Sequence, residues 1–130
     1  MLMRHLRILF AEDDPLLRDL ATARLKAFGC QVAEAPTGEE ALSLLAADQD
    51  AHVLVTDICM PGPVDGWSLG ELSRVINPRI VVIYTSSGRP IEGRKMPGSI
   101  FLAKPYHPDE LIAAIRKAAM QAQTHAHPTG

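Results

Sequence analysis

The sequence predicts one α/β domain on a five-stranded parallel sheet covered by helices on both faces. Three observations predict it. Short apolar runs alternate with stretches of helical periodicity along the 130 residues, the pattern of successive βαβ units. Two runs, Val53–Thr56 ahead of Asp57 and Arg79–Thr85, are apolar on both faces, as strands inside a covered sheet are. Oxygen-bearing and charged residues stand at the end of run after run, where open α/β sheets place their chemistry.

The first strand is Arg7-Ile8-Leu9-Phe10-Ala11. Glu12-Asp13-Asp14 follow at once, and Pro15 suits the first turn of a helix with Asp14 as its N-cap. Leu16, Leu17, Leu20, Ala23, Leu25 and Ala27-Phe28 form an apolar face at helical spacing. Gly29 stands where a left-handed C-cap is needed. Gln31–Ala35 alternates and predicts a second, more exposed strand. Pro36-Thr37-Gly38 turns the chain, and Thr37 with Glu40 forms a capping box. Ala41, Leu42, Leu44 and Leu45 carry the second helix, which Asp48-Gln49-Asp50 ends. The third strand then delivers Asp57 at its carboxyl end. A third helix runs from Trp67 to Val75 with Leu69 and Leu72 facing in, and Asn77-Pro78 breaks it.

The fourth strand ends at Thr85. The segment Ser86–Ser99 contains Gly88, Pro90, Gly93, Pro97 and Gly98. Each interior glycine costs about 1 kcal/mol relative to alanine and each proline roughly 3. Only Ile91 and Met96 offer apolar anchors. A fourth helix here is therefore expected to be short or missing, with at most one turn near Ile91–Lys95. Ile100–Ala103 is the fifth strand, Lys104-Pro105 follows, and Pro108 opens a last amphipathic helix through Leu111, Ile112, Ile115 and Ala119. Residues 1–120 form the expected domain and 121–130 a flexible C-terminal tail, whose His125 and His127 are read as solvated.

Composition narrows the function classes. A net charge of −2 without a basic stripe argues against a nucleic-acid partner. Cys30 and Cys59 lack metal-ligand spacing and suit free thiols in a reducing, cytoplasmic compartment. The apolar run Ile8–Ala11 is too short for a signal segment or a membrane span.

In a parallel sheet the strand ends share one edge. That edge would gather Glu12, Asp13 and Asp14 from the first strand, Asp57 from the third, Thr85 from the fourth and Lys104 from the fifth. Clustered carboxylates repel, and one protonates unless a cation neutralises them. An all-oxygen set suits a hard cation such as Mg²⁺. A lysine and a hydroxyl nearby would stabilise an oxyanion on Asp57. Asp57 alone reads as a turn or capping aspartate; the ordered set reads it as a nucleophile or metal ligand.

These motifs resemble the receiver domain of two-component response regulators over Arg7 to about Ala119. The matching stretches are Ile-Leu-Phe-Ala-Glu12-Asp13-Asp14-Pro, Asp57-Ile-Cys-Met-Pro61-Gly, Asp65-Gly66, Thr85 and Lys104-Pro105. The resemblance implies a flavodoxin-like, doubly wound sheet of order 2-1-3-4-5; a chemotaxis receiver is one of the standard examples of that order. It implies that Asp57 accepts a phosphoryl group from a phosphohistidine. Mg²⁺ (or Mn²⁺) would be held by Asp13, Glu12, Asp57 and the backbone carbonyl of Cys59. Thr85 and Lys104 would contact the phosphoryl group, Pro105 would follow a cis peptide, and Phe101 would occupy the aromatic switch position. Asp14 remains a helix cap rather than a ligand. The loop from Met60 to Gly66 is one residue longer than the commonest family loop, with an extra proline.

The expectation is a single-domain response regulator, not an enzyme, of the chemotaxis-regulator kind. Its partners would be a sensor histidine kinase or histidine phosphotransfer protein and an unnamed downstream protein, with no nucleic acid and no membrane. It would signal by contact or act as a phosphate sink, as a monomer or weak dimer. Two rivals are weighed. A phosphatase with an aspartyl-phosphate intermediate commonly wants an acid two residues after the nucleophile, where Cys59 stands. A flavodoxin-like nucleotide binder needs donors after the first strand, where Glu12-Asp13-Asp14 would repel a phosphate.

Overall fold

The computed structural model describes residues 3–88 and 94–126, with side chains through Gln121. The elements run β1 (Arg7–Ala11), α1 (Pro15–Ala27), β2 (Gln31–Ala35), α2 (Gly38–Ala47), β3 (Val53–Asp57), α3 (Gly66–Ile76), β4 (Val81–Ser86), β5 (Ile100–Ala103) and α4 (Pro108–Ala126). All strand pairs are parallel, and the sheet order is β2-β1-β3-β4-β5. The fold is flavodoxin-like, as expected.

Each strand lies where its composition puts it. Every residue of β3 and β4 is buried, which is why neither alternates in polarity. β2 alternates because it is an edge strand with one face toward water. The sheet carries a core on each side. Ile8, Phe10, Val53, Val55, Val81 and Ile83 pack toward Ala21 and Leu25 of α1 and toward Leu111 and Ile115 of α4. Leu9, Leu54, Val82 and Tyr84 pack toward Ala41 and Leu45 of α2 and toward Trp67 and Leu69 of α3.

The helix ends follow their signals. The Asp14 side chain accepts from the N–H groups of Leu16 and Leu17. Thr37 and Asp65 cap α2 and α3 in the same way. Gly29 takes φ +90° after α1; its N–H donates to the Lys26 carbonyl and that of Cys30 to Leu25, a Schellman close.

Three expectations need correcting. Leu16 and Leu20 are 68% and 64% exposed. α1 carries two apolar stripes side by side, and the one through Ala21 and Leu25 faces the sheet. Leu72 is likewise exposed, because α3 buries Trp67, Leu69, Gly70 and Ser73 instead. The last helix continues through Ala126, past Ala119 where its apolar spacing ends.

The chain therefore has a fourth helix, α4, after β5. Between β4 and β5 the described residues, 87–88 and 94–99, form bends and turns and no helix. The single turn allowed near Ile91–Lys95 falls largely outside the described residues. What is described of this connection touches the rest of the fold at a buried and an exposed point: the Met96 N–H donates to Tyr84 Oη at 3.2 Å, and at the surface Arg94 pairs with Glu71 of α3 at 3.3 Å.

Candidate functional site

The sheet ends β1, β3, β4 and β5 at one edge, and the expected groups meet there. Asp57 and Thr85 are register partners on adjacent strands. Both are largely buried, at 8% and 2% exposure. Lys104 leaves β5 after its N–H donates to the Ser86 carbonyl, and its ammonium reaches over β4 to both inner carboxylates. Lys104 Nζ lies 2.6 Å from Glu12 Oε1 and 2.8 Å from Asp57 Oδ2. The other oxygens are held too: Asp57 Oδ1 accepts from the Cys59 N–H at 3.1 Å, and Glu12 Oε2 accepts from the Asp14 N–H at 3.1 Å.

Backbone contacts fix the rim. The Glu12 N–H donates to the Ala35 carbonyl and the Ile58 N–H to the Thr85 carbonyl. The Arg18 guanidinium donates to the Glu12 carbonyl at 2.7 Å. Gly66 lies so close under β3 that a Cβ there would fall 2.1 Å from the Asp57 carbonyl. The glycine lets the start of α3 pack against the strand end that carries the aspartate.

Ligand oxygens of Glu12, Asp13 and Asp57 all lie within 4.8 Å of one another. One ammonium stands against these three carboxylates, so the pocket keeps a deficit of positive charge. Burial pulls the Lys104 ammonium toward deprotonation, but hydrogen bonds and charge from Asp57 and Glu12 outweigh it and hold its titration above the ordinary value. Burial pushes the Glu12 carboxyl up, against Lys104 and the Asp14 N–H, which pull it down. The cation of the pair is thus firmly charged, while its buried carboxylate partner is the strained member. A divalent cation at Asp13, the exposed carboxylate, would supply the missing charge.

The remaining expected residues fall in place around this pocket. The Lys104–Pro105 peptide is cis. Phe101 is half-buried, is the register partner of Tyr84 and packs against the α2–α3 core. Asp14 is a helix cap and not a member of the carboxylate cluster. Cys59 is exposed and Cys30 buried, both as free thiols. Sequence reasoning missed two groups: Arg18, which clamps the Glu12 carbonyl, and Tyr106, whose buried hydroxyl has no partner among the described residues. Tyr106 stands two residues past Lys104, and that proximity was the only signal.

The chain is a doubly wound, flavodoxin-like parallel sheet with carboxylates, a hydroxyl and a lysine at its carboxyl edge. The model of the response regulator receiver domain matches residues 8–116, and the chain belongs to that family, whose function is phosphoryl acceptance. Among curated relatives, the probable transcriptional regulator ycf27 of Galdieria sulphuraria is 30% identical over 118 residues, 88% of this chain and 46% of the relative. Its counterpart from Porphyridium aerugineum is 31% identical, over 88% of this chain and 48% of the relative. The chain thus spans about half the length of these relatives. Among solved structures, a response regulator receiver protein from Sinorhizobium medicae WSM419 superposes with TM-score 0.82 at 28% identity, covering 89% of this chain and 96% of that one. The receiver domain of the hybrid histidine kinase CckA gives 0.77 at 32% identity, covering 86% and 97%.

Proposed function

We propose that Asp57 accepts a phosphoryl group from a phosphohistidine of a sensor histidine kinase or histidine phosphotransfer protein, and that the product signals by protein contact or drains phosphate as a sink. The observation that carries this is Asp57 itself: a largely buried carboxylate at the end of the central strand, with one oxygen on Lys104 and the other on a backbone N–H. In the transfer an Asp57 oxygen bonds to phosphorus as the histidine N–P bond breaks, and the imidazole nitrogen keeps the electron pair and takes a proton. Lys104 stabilises the charge on the phosphoryl oxygens. Thr85, beside Asp57 in register, supplies a hydroxyl donor. Asp13, Glu12, Asp57 and the Cys59 carbonyl would hold Mg²⁺ or Mn²⁺. The metal supplies charge neutralisation at the phosphoryl oxygens and relieves the carboxylate repulsion.

The receiver unit on this reading is residues 1–120, acting in the cytoplasm without a membrane or nucleic acid, as a monomer or weak dimer. Among the described residues no helix is long and apolar enough to cross a membrane. Leu16 and Leu20, one turn apart on α1 and close in sequence to Asp13, are exposed apolar residues suited to packing against a helix of the phosphodonor.

Incubation with Mg²⁺ and acetyl phosphate should add one phosphoryl mass, and Asp57→Asn should remove that increment completely. EDTA should suppress labelling of the wild type. An undiminished increment in the variant would sink the assignment.

A further inference from the structure

Asp13 is the carboxylate best exposed to a cation, yet no side-chain contact holds it. β1 ends at Ala11 and Asp14 caps α1, so only Glu12 and Asp13 lie between them to turn the chain. Glu12 is fixed on all sides. Its N–H donates to the Ala35 carbonyl, and its carboxylate takes Lys104 and the Asp14 N–H. Asp13 is exposed, and its carboxylate makes no hydrogen bond or ion pair among the described residues. Its place in the cluster with Glu12 and Asp57 is therefore set by the backbone on either side.

On one side stands the capping Asp14. On the other, the Glu12 carbonyl accepts from Arg18 Nη1 at 2.7 Å, short for a nitrogen donor and charge-assisted. Because a peptide unit is planar, a fixed carbonyl fixes the direction in which the chain enters Asp13. Arg18 is itself anchored. Its N–H donates to the Asp14 carbonyl, and its Nε stands 3.7 Å from Glu34 Oε1 on β2. Glu34 in turn pairs with Lys26 at 3.5 Å. A rigid guanidinium fork can serve a carbonyl and a carboxylate at once, whereas an ammonium is a point charge on a flexible stem. Glu34, outside the carboxylate cluster, answers the charge of Arg18. What Arg18 gives the pocket is a hydrogen bond to the backbone.

We propose that Arg18 is a positioning residue for the divalent cation: by holding the Glu12 carbonyl it sets the Asp13 carboxylate where the cation binds. This role rests on the cation site of the phosphoacceptor reading above. Charge and placement make opposite demands here. A guanidinium beside the pocket repels a divalent cation, so on charge alone its removal tightens binding. If Arg18 places Asp13, its removal weakens binding.

The test measures Mg²⁺ binding by calorimetry for wild type, Arg18→Met and Arg18→Lys. Ionic strength is held constant, and the temperature is one at which melting curves show each protein folded. Arg18→Met keeps an apolar stem and loses every donor. Its Mg²⁺ affinity should fall about tenfold, the lower end of what losing an outer partner costs a metal site. Arg18→Lys keeps the charge and a donor, and its affinity should lie between the two. Arg18→Gln, also neutral, replaces Arg18→Met if that variant does not fold, with the same loss expected. A neutral variant that binds Mg²⁺ as tightly as wild type or more tightly would overturn the proposal, even if its melting point falls, because Arg18 would then be only a structural tie. Arg18→Lys binding as weakly as the neutral variant would overturn it too, since a donor to the carbonyl would count for nothing. A wild type that binds no Mg²⁺ would instead overturn the cation site itself.

Discussion

Glu12 is where the demands of folding and of the site conflict. Burial raises its carboxyl titration, and Lys104 and the Asp14 N–H only partly offset that rise. The folded chain therefore binds this proton more tightly than the unfolded chain does. The Glu12 contribution to stability is fully present below the ordinary value of 4.5 and is lost as pH climbs through the raised one. In its ionised form the carboxylate burdens the metal-free fold. Glu12→Gln keeps an acceptor for Lys104 and removes that charge. Without metal it should melt above wild type at pH 7, and the gap should close as pH falls toward 4.5. A variant that melts lower at pH 7 would mean that the 2.6 Å ion pair outweighs the burial. The residues of this conflict were legible in the sequence because carboxylates and a lysine at strand ends are few and ordered. Tyr106 was not, since an aromatic after Lys-Pro reads as core, and only the fold shows that its hydroxyl is orphaned.

Elements were legible in kind more than in orientation. The period of α1 identified a helix, but Leu16, Leu20, Ala23 and Ala27 lie on one apolar stripe and Ala21, Leu25 and Phe28 on its neighbour. Docking, not spacing, decides which is buried. α3 adds a constraint invisible to periodicity. Gly70 faces Tyr84, and a Cβ there would stand 2.4 Å from the tyrosine hydroxyl and 3.0 Å from its ring. That ring is wholly buried and packs at a tilt against Trp67, 4.9 Å between centroids, so it cannot yield cheaply. Gly70→Ala would gain about 1 kcal/mol of helix propensity and lose roughly 1–3 kcal/mol to overpacking. Net destabilisation is expected in urea unfolding. Tyr84→Phe removes the closest clashing atom and the acceptor for the Met96 N–H. The double variant should therefore be less destabilised than the two single effects added together. Strict additivity would show that the hydroxyl is not what Gly70 accommodates.

At the scale of the molecule, alternation of strands and helices makes a covered parallel sheet readable from sequence. The order β2-β1-β3-β4-β5 is not, because nothing local tells the third strand to cross to the far side of the first; family resemblance carried it. The order matters because it sets β1 beside β3 and so brings Glu12 and Asp13 to Asp57. The fold thus clusters three carboxylates, two of them paired with the Lys104 ammonium, and its stability should be linked to a divalent cation. A ligand bound only by the folded form at 100 times its Kd adds about 2.7 kcal/mol. For a chain of this length each kcal/mol moves the melting point by roughly 3–5 °C, so saturating Mg²⁺ should raise it on the order of 10 °C. Asp13→Ala should abolish most of that shift. Metal-free, the same variant should melt no lower than wild type, since it deletes an exposed like charge from the cluster. Asp14→Ala is the contrasting case. It removes the cap of α1, costing about 1 kcal/mol with or without metal, and leaves the Mg²⁺ shift intact. If both variants keep the shift, the metal does not bind at this edge. If both lose it, Asp14 belongs to the site and its capping role is not its main one.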